Sequence, residues 1–149
     1  MLRHAILISV SLLLTACASV PQGDKTRQAE LKAFQAIPDK GSLYVCRENA
    51  VLLNAGVKTT VLVGEQDIGT VTPNTFVHAL LSPGKYKVQM KNSGLAAASS
   101  PSIDIDIRSN QLAFLWIGGG FGFYTIDYFR TDAEAQACVQ GATYVVKGG

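Results

Sequence analysis

Cysteine and histidine are the side chains best suited to chemistry near neutral pH, and this chain of 149 residues holds three of one and two of the other. Cys17 follows an apolar run that begins at Ala5 behind Arg3 and His4, with the small residues Thr15 and Ala16 just before it. A basic start, a short apolar stretch and small residues ahead of a cleavage point make a secretory signal. At roughly 10 to 12 residues the stretch is too short to span a bilayer. Residues 1–16 are therefore expected to be removed, and His4 with them. The remaining chain, Cys17 to Gly149, keeps His78 alone, inside a strand-like stretch. No Cys-x-x-Cys or His-x-x-x-His pair organises a zinc ion. No Gly-x-Ser-x-Gly elbow presents a serine to His78 as its base. We expect no catalytic, cofactor-binding or metal site, and His78 reads as an outward-facing strand residue.

Two further constellations carry weaker chemistry. Cys46 and Cys138 are the thiols left beside Cys17, and an even pair in an oxidising compartment favours a disulfide. The other reading is two separately buried cysteines acting as small hydrophobes. Asp104 and Asp106 share one face of a strand, where paired carboxylates suit calcium or glycoside cleavage. Their alternation with Ile103, Ile105 and Ile107 is explained by a solvated sheet face, which we prefer.

The aromatic segment is the better lead. Phe114, Trp116, Phe121, Phe123, Tyr124, Tyr128 and Phe129 are seven of the twelve aromatics, gathered around Gly118, Gly119, Gly120 and Gly122. A phosphate cradle would need a following lysine and helix, and neither is present. A membrane-spanning helix over 112–129 is opposed by the glycines and by Asp127. Two readings remain. Either two core strands are joined by a glycine turn, or Trp116, Phe121, Phe123 and Tyr124 form an exposed contact surface for a protein, a membrane or a glycan.

The elements that must position these residues follow from periodicity. Residues 18–24 are small and polar with one proline, as a tether from a membrane would be. Lys25 to Ala36 reads as a short helix capped by Asp24, with Leu31 and Phe34 one turn apart, and Pro38 ends it. From Gly41 the period changes to two. Residues 42–47, 59–63, 68–71, 76–81, 85–91, 102–107, 112–117 and 123–129 read as strands, with turn chemistry between them. Tyr86, Val88 and Met90 alternate with Lys85, Lys87, Gln89 and Lys91, so such strands have one wet and one buried face. Thr131 with Glu134 forms a capping box that opens a helix over 132–140, which places Ala135 and Cys138 on one face. Thr143 to Val146 adds a last strand. The expected fold is mainly β, an antiparallel β-sandwich over residues 41–149, with a short N-terminal helix and one C-terminal helix. Net charge is +2, or +1 once Arg3 has left, without a basic tract, so no nucleic-acid partner is expected.

The block Leu14-Thr15-Ala16-Cys17 resembles the lipobox of bacterial lipoproteins. That resemblance implies a diacylglyceryl group on the Cys17 sulfur, cleavage before Cys17, and attachment to the membrane through acyl chains. Ala18, in place of the Asp that resembles an inner-membrane retention signal, implies the outer membrane, with the domain on its periplasmic face. The stretch Ser42-Leu-Tyr-Val-Cys-Arg47, Val61 to Gly64, Ile68 to Val71, Phe76 and Leu81-Ser-Pro-Gly-Lys-Tyr86 resembles the domain of unknown function 2846 family of envelope lipoproteins. The Pro-Gly-x-Tyr turn is also similar to PEGA domains. This likeness implies a β-sandwich and an envelope role, and it carries over no catalytic residue. Cys46 falls where such sequences often have an aromatic or other apolar residue. The expected function is a non-enzymatic interaction or accessory role with an envelope protein partner. The alternative is a small-ligand or glycan-binding module, in particular for peptidoglycan.

Overall fold

The computed structural model describes residues 19–49, 56–120 and 123–148. Residues 1–18, with the signal and Cys17, lie outside the described residues, as does Phe121. Helix α1 (Lys25–Lys32) is followed by strands β1 (Gly41–Arg47), β2 (Thr59–Val63), β3 (Gln66–Val71), β4 (Thr75–Leu81) and β5 (Gly84–Asn92). A 3-10 turn (Gly94–Ala96) precedes β6 (Ser102–Ile107), β7 (Leu112–Gly120), β8 (Phe123–Tyr128), helix α2 (Asp132–Gly141) and β9 (Thr143–Tyr144). Among the described residues no helix is long and apolar enough to cross a membrane.

The strands form two sheets, one ordered β8-β7-β1-β4-β9 and the other β3-β2-β5-β6. The four-stranded sheet is antiparallel throughout. The five-stranded sheet is mixed: β1 runs parallel to β7, and β4 parallel to β9. This corrects the expectation of purely antiparallel sheets, and burial gives the reason. All seven residues of β1 are buried, because the second sheet covers one face and the helices cover the other. A strand dry on both faces sits readily in a parallel pair.

The main core fills the space between the sheets, with Leu43, Val45, Val77, Leu115 and Ile117 facing Val61, Val71, Val88, Met90 and Ile107. The arrangement is mainly β and sandwich-like. A second core lies on the outer face of the five-stranded sheet, where Tyr44, Cys46, Phe76 and Phe114 meet Leu31, Ala135 and Val139 of the helices. Tyr44 stacks on Phe114 with ring centroids 5.1 Å apart and donates its hydroxyl to the Leu31 carbonyl oxygen at 3.0 Å. Much of the aromatic content is thus spent in fixing helices to a sheet.

Both helices start where the sequence places them. The Asp24 side chain accepts from the Arg27 N–H at 2.9 Å, and Thr131 Oγ1 accepts from the Glu134 N–H at 3.2 Å. Helix α1 stops at Lys32, earlier than expected, because Phe34 takes a left-handed backbone (φ 51°) that turns its ring onto Tyr44 and Phe114. The fold also begins earlier than the tether reading implies. The Gly23 N–H donates to the Tyr144 carbonyl oxygen at 2.9 Å, and the Val146 N–H donates to that of Pro21 at 3.1 Å.

The structure joins Cys46 and Cys138 by a disulfide, 92 residues apart in sequence with Cα atoms 6.3 Å apart. It pins α2 to the end of β1.

His78 departs from its expected role. It sits on β4 opposite Tyr44, rings 4.8 Å apart and edge-on, with a buried Nε2 that has no hydrogen-bond partner. Burial, and secondarily the Arg27 charge, lower its pKa from 6.5 to about 4. The unfolded chain takes up this proton near pH 6.5 and the folded chain only near pH 4, so stability is full above about pH 7 and falls between those values. The expected loss approaches about 3 kcal/mol by pH 4. Urea unfolding from pH 4 to 7.5 checks this, with His78→Leu expected to remove most of the slope; equal slopes in both proteins would refute it.

Candidate functional site

Helices α1 and α2 cover only part of the outer face of the five-stranded sheet. Beyond them β7 runs on to Gly120, three residues past Ile117, where its register with β1 ends. On this uncovered end Trp116 pairs across the hairpin with Asp127, and Gly118 pairs with Thr125. The Trp116 indole lies against Gly118, since a Cβ there would fall 1.8 Å from its Cζ2 atom. At Gly119 the obstacle is backbone, with the Phe123 carbonyl oxygen 2.1 Å from the Cβ position. The glycine run therefore lets an indole and a neighbouring strand approach a backbone that carries no side chains.

Trp116 is half-buried and borders a groove of about 500 Å³. Tyr128 and Phe129 add aromatic wall, and Glu48, Asp127, Glu134 and Arg130 add charge. The elements bring these together from distant parts of the chain. Glu48 follows β1, Asp127 and Tyr128 belong to β8, and Glu134 lies in the first turn of α2. Asp127 Oδ1 also accepts the Tyr128 N–H at 2.8 Å. The Tyr128 phenol is held above its usual pKa by partial burial and then by the Asp106 and Asp127 carboxylates, which marks a negative potential here. Among the described residues no three His, Cys, Asp or Glu groups are placed to hold a metal ion.

Arg47, paired with Ile117 on the sheet face opposite Trp116, is only 3% exposed. Its guanidinium donates to the Val57 carbonyl oxygen at 2.6 Å and stands 5.4 Å from the centre of the Tyr124 ring. This arrangement corrects the reading of Tyr124 as surface. Its β8 neighbours Phe123 and Thr125 are exposed while Tyr124 is buried in the core between the sheets, because alternate residues of a strand face opposite ways. Phe123, by contrast, is 78% exposed at the hairpin tip. Asp104 and Asp106 are exposed on β6, as a solvated face requires.

Of the expected surface residues, Trp116 and Phe123 thus stand on one end of the sheet, without Tyr124. Sequence reasoning missed Glu48, Asp127, Arg130 and Glu134. A signal for Asp127 was present: a turn centred between Gly120 and Phe123 puts it opposite Trp116. Ending the preceding strand at Ile117 hid that register.

Gly118→Ala is expected to push the indole off its seat, costing about 1 to 3 kcal/mol and changing the emission of Trp116, the one tryptophan of the chain. Unfolding curves and fluorescence spectra check it; an unchanged spectrum would show that the indole does not rest there.

These elements define a mainly β, two-sheet protein with a helix-covered outer face and an aromatic groove at one end. No family model matches the chain. It is similar to an uncharacterized protein of Haemophilus influenzae, 27% identical over 122 residues that cover 78% of this chain and 71% of that protein.

Proposed function

We propose that the chain is a lipid-anchored β-sandwich protein of the outer membrane, facing the periplasm, which works by binding as a non-enzymatic accessory component of an envelope complex. The anchor is the acylated Cys17, read from the lipobox-like block Leu14 to Cys17. The observation that carries the binding role is the uncovered aromatic end of the five-stranded sheet, with Trp116 in the groove and Phe123 at the tip.

Chain direction supports this reading. Gln22 pairs antiparallel with Val145, just past β9, at the sheet edge opposite β8. Four strand spacings, roughly 19 Å, separate those edges. From Gln22 back toward Cys17 the paired chain heads the way β4 runs, toward the end where β1 and β7 begin. The hairpin tip is at the other end. Cys17 is five residues from Gln22, a reach of about 17 Å at most, so a lipid on Cys17 would tether the domain by the sheet edge opposite β8, the strand that borders the groove.

In-cell crosslinking followed by affinity purification and mass spectrometry tests the proposal, comparing the native chain with a version carrying a non-lipid signal and Cys17→Ala. A reproducible envelope partner captured only by the anchored form is expected. Absence of any partner in both forms would sink the assembly role.

A second reading has one specific observation in its favour. An indole seated on glycine beside carboxylates and an arginine is also a platform for a glycan ring. Retention on peptidoglycan that depends on Trp116 would select it.

A further inference from the structure

We propose that the groove over Trp116 receives an organic cation, the guanidinium or ammonium group of an arginine or lysine side chain carried on a peptide segment of the protein partner. This rests on the binding role proposed above and names the chemistry of its contact.

Charge decides between ligand classes. Glu48, Asp127 and Glu134 border the groove against Arg130 alone, a formal charge of −2. Among the described residues the ion pair present is Arg27–Glu30, out on α1, so none of these three carboxylates is neutralised by an ion pair. They come from three separate elements and do not converge as metal ligands do. A diffuse ring of carboxylates around aromatic faces suits a cation whose charge is itself spread over a flat or flexible group. Anionic lipid headgroups and phosphates are repelled by the same charge. A neutral sugar would stack on the indole without needing the carboxylates.

Size and setting favour a peptide over a free amine. About 500 Å³ exceeds the volume of one guanidinium and leaves room for flanking chain. Strand β8, which supplies Asp127 and Tyr128, is the outermost strand of its sheet, and Tyr128 is 50% exposed on it. An extended segment lying beside that edge can turn an alternate side chain toward the groove.

Trp116 is the only tryptophan, so its fluorescence reports this groove and no other. The full chain, in neutral detergent micelles, is titrated with an acetylated peptide of alternating alanine and arginine, and with the same peptide carrying citrulline, the neutral isostere. Spermidine and chitotriose serve as free-amine and saccharide arms. The arginine peptide is expected to change the emission saturably and to bind at least about tenfold more tightly than the citrulline peptide, with the preference shrinking in 0.5 M salt. Asp127→Asn with Glu134→Gln is expected to weaken it about tenfold. Because the Asp127 carboxylate also accepts the Tyr128 N–H, Glu48→Gln serves as a second variant on an exposed side chain, with about threefold weakening expected.

Equal binding of the arginine and citrulline peptides, or no response to either, would overturn the proposal. Spermidine binding as tightly as the peptide would overturn the peptide source. Saturation by chitotriose alone would overturn the cation and leave the wider binding role standing. Loss of in-cell crosslinks with peptide binding intact would count against the envelope role alone.

Discussion

Reducing the Cys46–Cys138 bridge, or replacing Cys138 by alanine, is expected to lower the stability of the folded chain by about 4 kcal/mol, and its Tm by roughly 12 °C. The magnitude follows from topology. The bridge spans 92 residues, from the end of β1 to α2, so opening it restores chain entropy to a long loop of the unfolded state. Local packing adds to the effect. Cys46 is fully buried against the helix side of the sheet, and α2 rests there mainly through Ala135 and Val139, so the bridge is a large part of what holds it. Alanine is the cleaner replacement because serine would bring a hydroxyl into apolar surroundings. Chemical denaturation of the native chain, of the native chain with reductant, and of Cys138→Ala checks the expectation; the last two should coincide. A shift below about 1 kcal/mol would mean that α2 is held by its apolar face alone. Since α2 carries Glu134 to the groove, the same reduction should also weaken any ligand held there.

Cys17→Ala is expected to move the protein almost entirely from the membrane fraction to the soluble fraction. A diacylglyceryl thioether buries dozens of methylenes at about 0.8 kcal/mol each, which makes dissociation of the acylated form negligible. Domain stability should not change, because the first backbone pairing of the described chain begins at Pro21. Fractionation with a carbonate wash, together with unfolding of both proteins, checks the two halves of this statement. Retention of the variant in the washed membranes would reject Cys17 as the anchor.

Strand positions were largely legible because alternation is a local property. Tyr86, Val88 and Met90 against their lysines, and the three isoleucines of residues 102–107 against their aspartates, mark β5 and β6 on the page. The parallel pairing of β1 with β7 was not legible. Their residues lie about 70 positions apart, as in Ser42 and Leu112, and nothing in either stretch names the partner. His78 shows the same gap: its strand was clear, but the helix-side aromatic layer that buries it depends on where α1 and Phe34 pack. In the candidate site, Trp116 and Phe123 were readable as aromatics beside glycines, whereas Tyr124 was misplaced because hairpin register decides which alternate residues face the core.

By itself, then, the sequence determined the strands, the two helix caps and the aromatic, glycine-rich hairpin, all of which follow from residues within a few positions of one another. Only the tertiary structure decided that β1 lies dry between a sheet and two helices, that α2 is bonded to its end, and that Glu48, Asp127 and Glu134 gather around Trp116. Those meetings depend on which distant surfaces bury each other, and apolar burial is non-directional, so no local pattern specifies them.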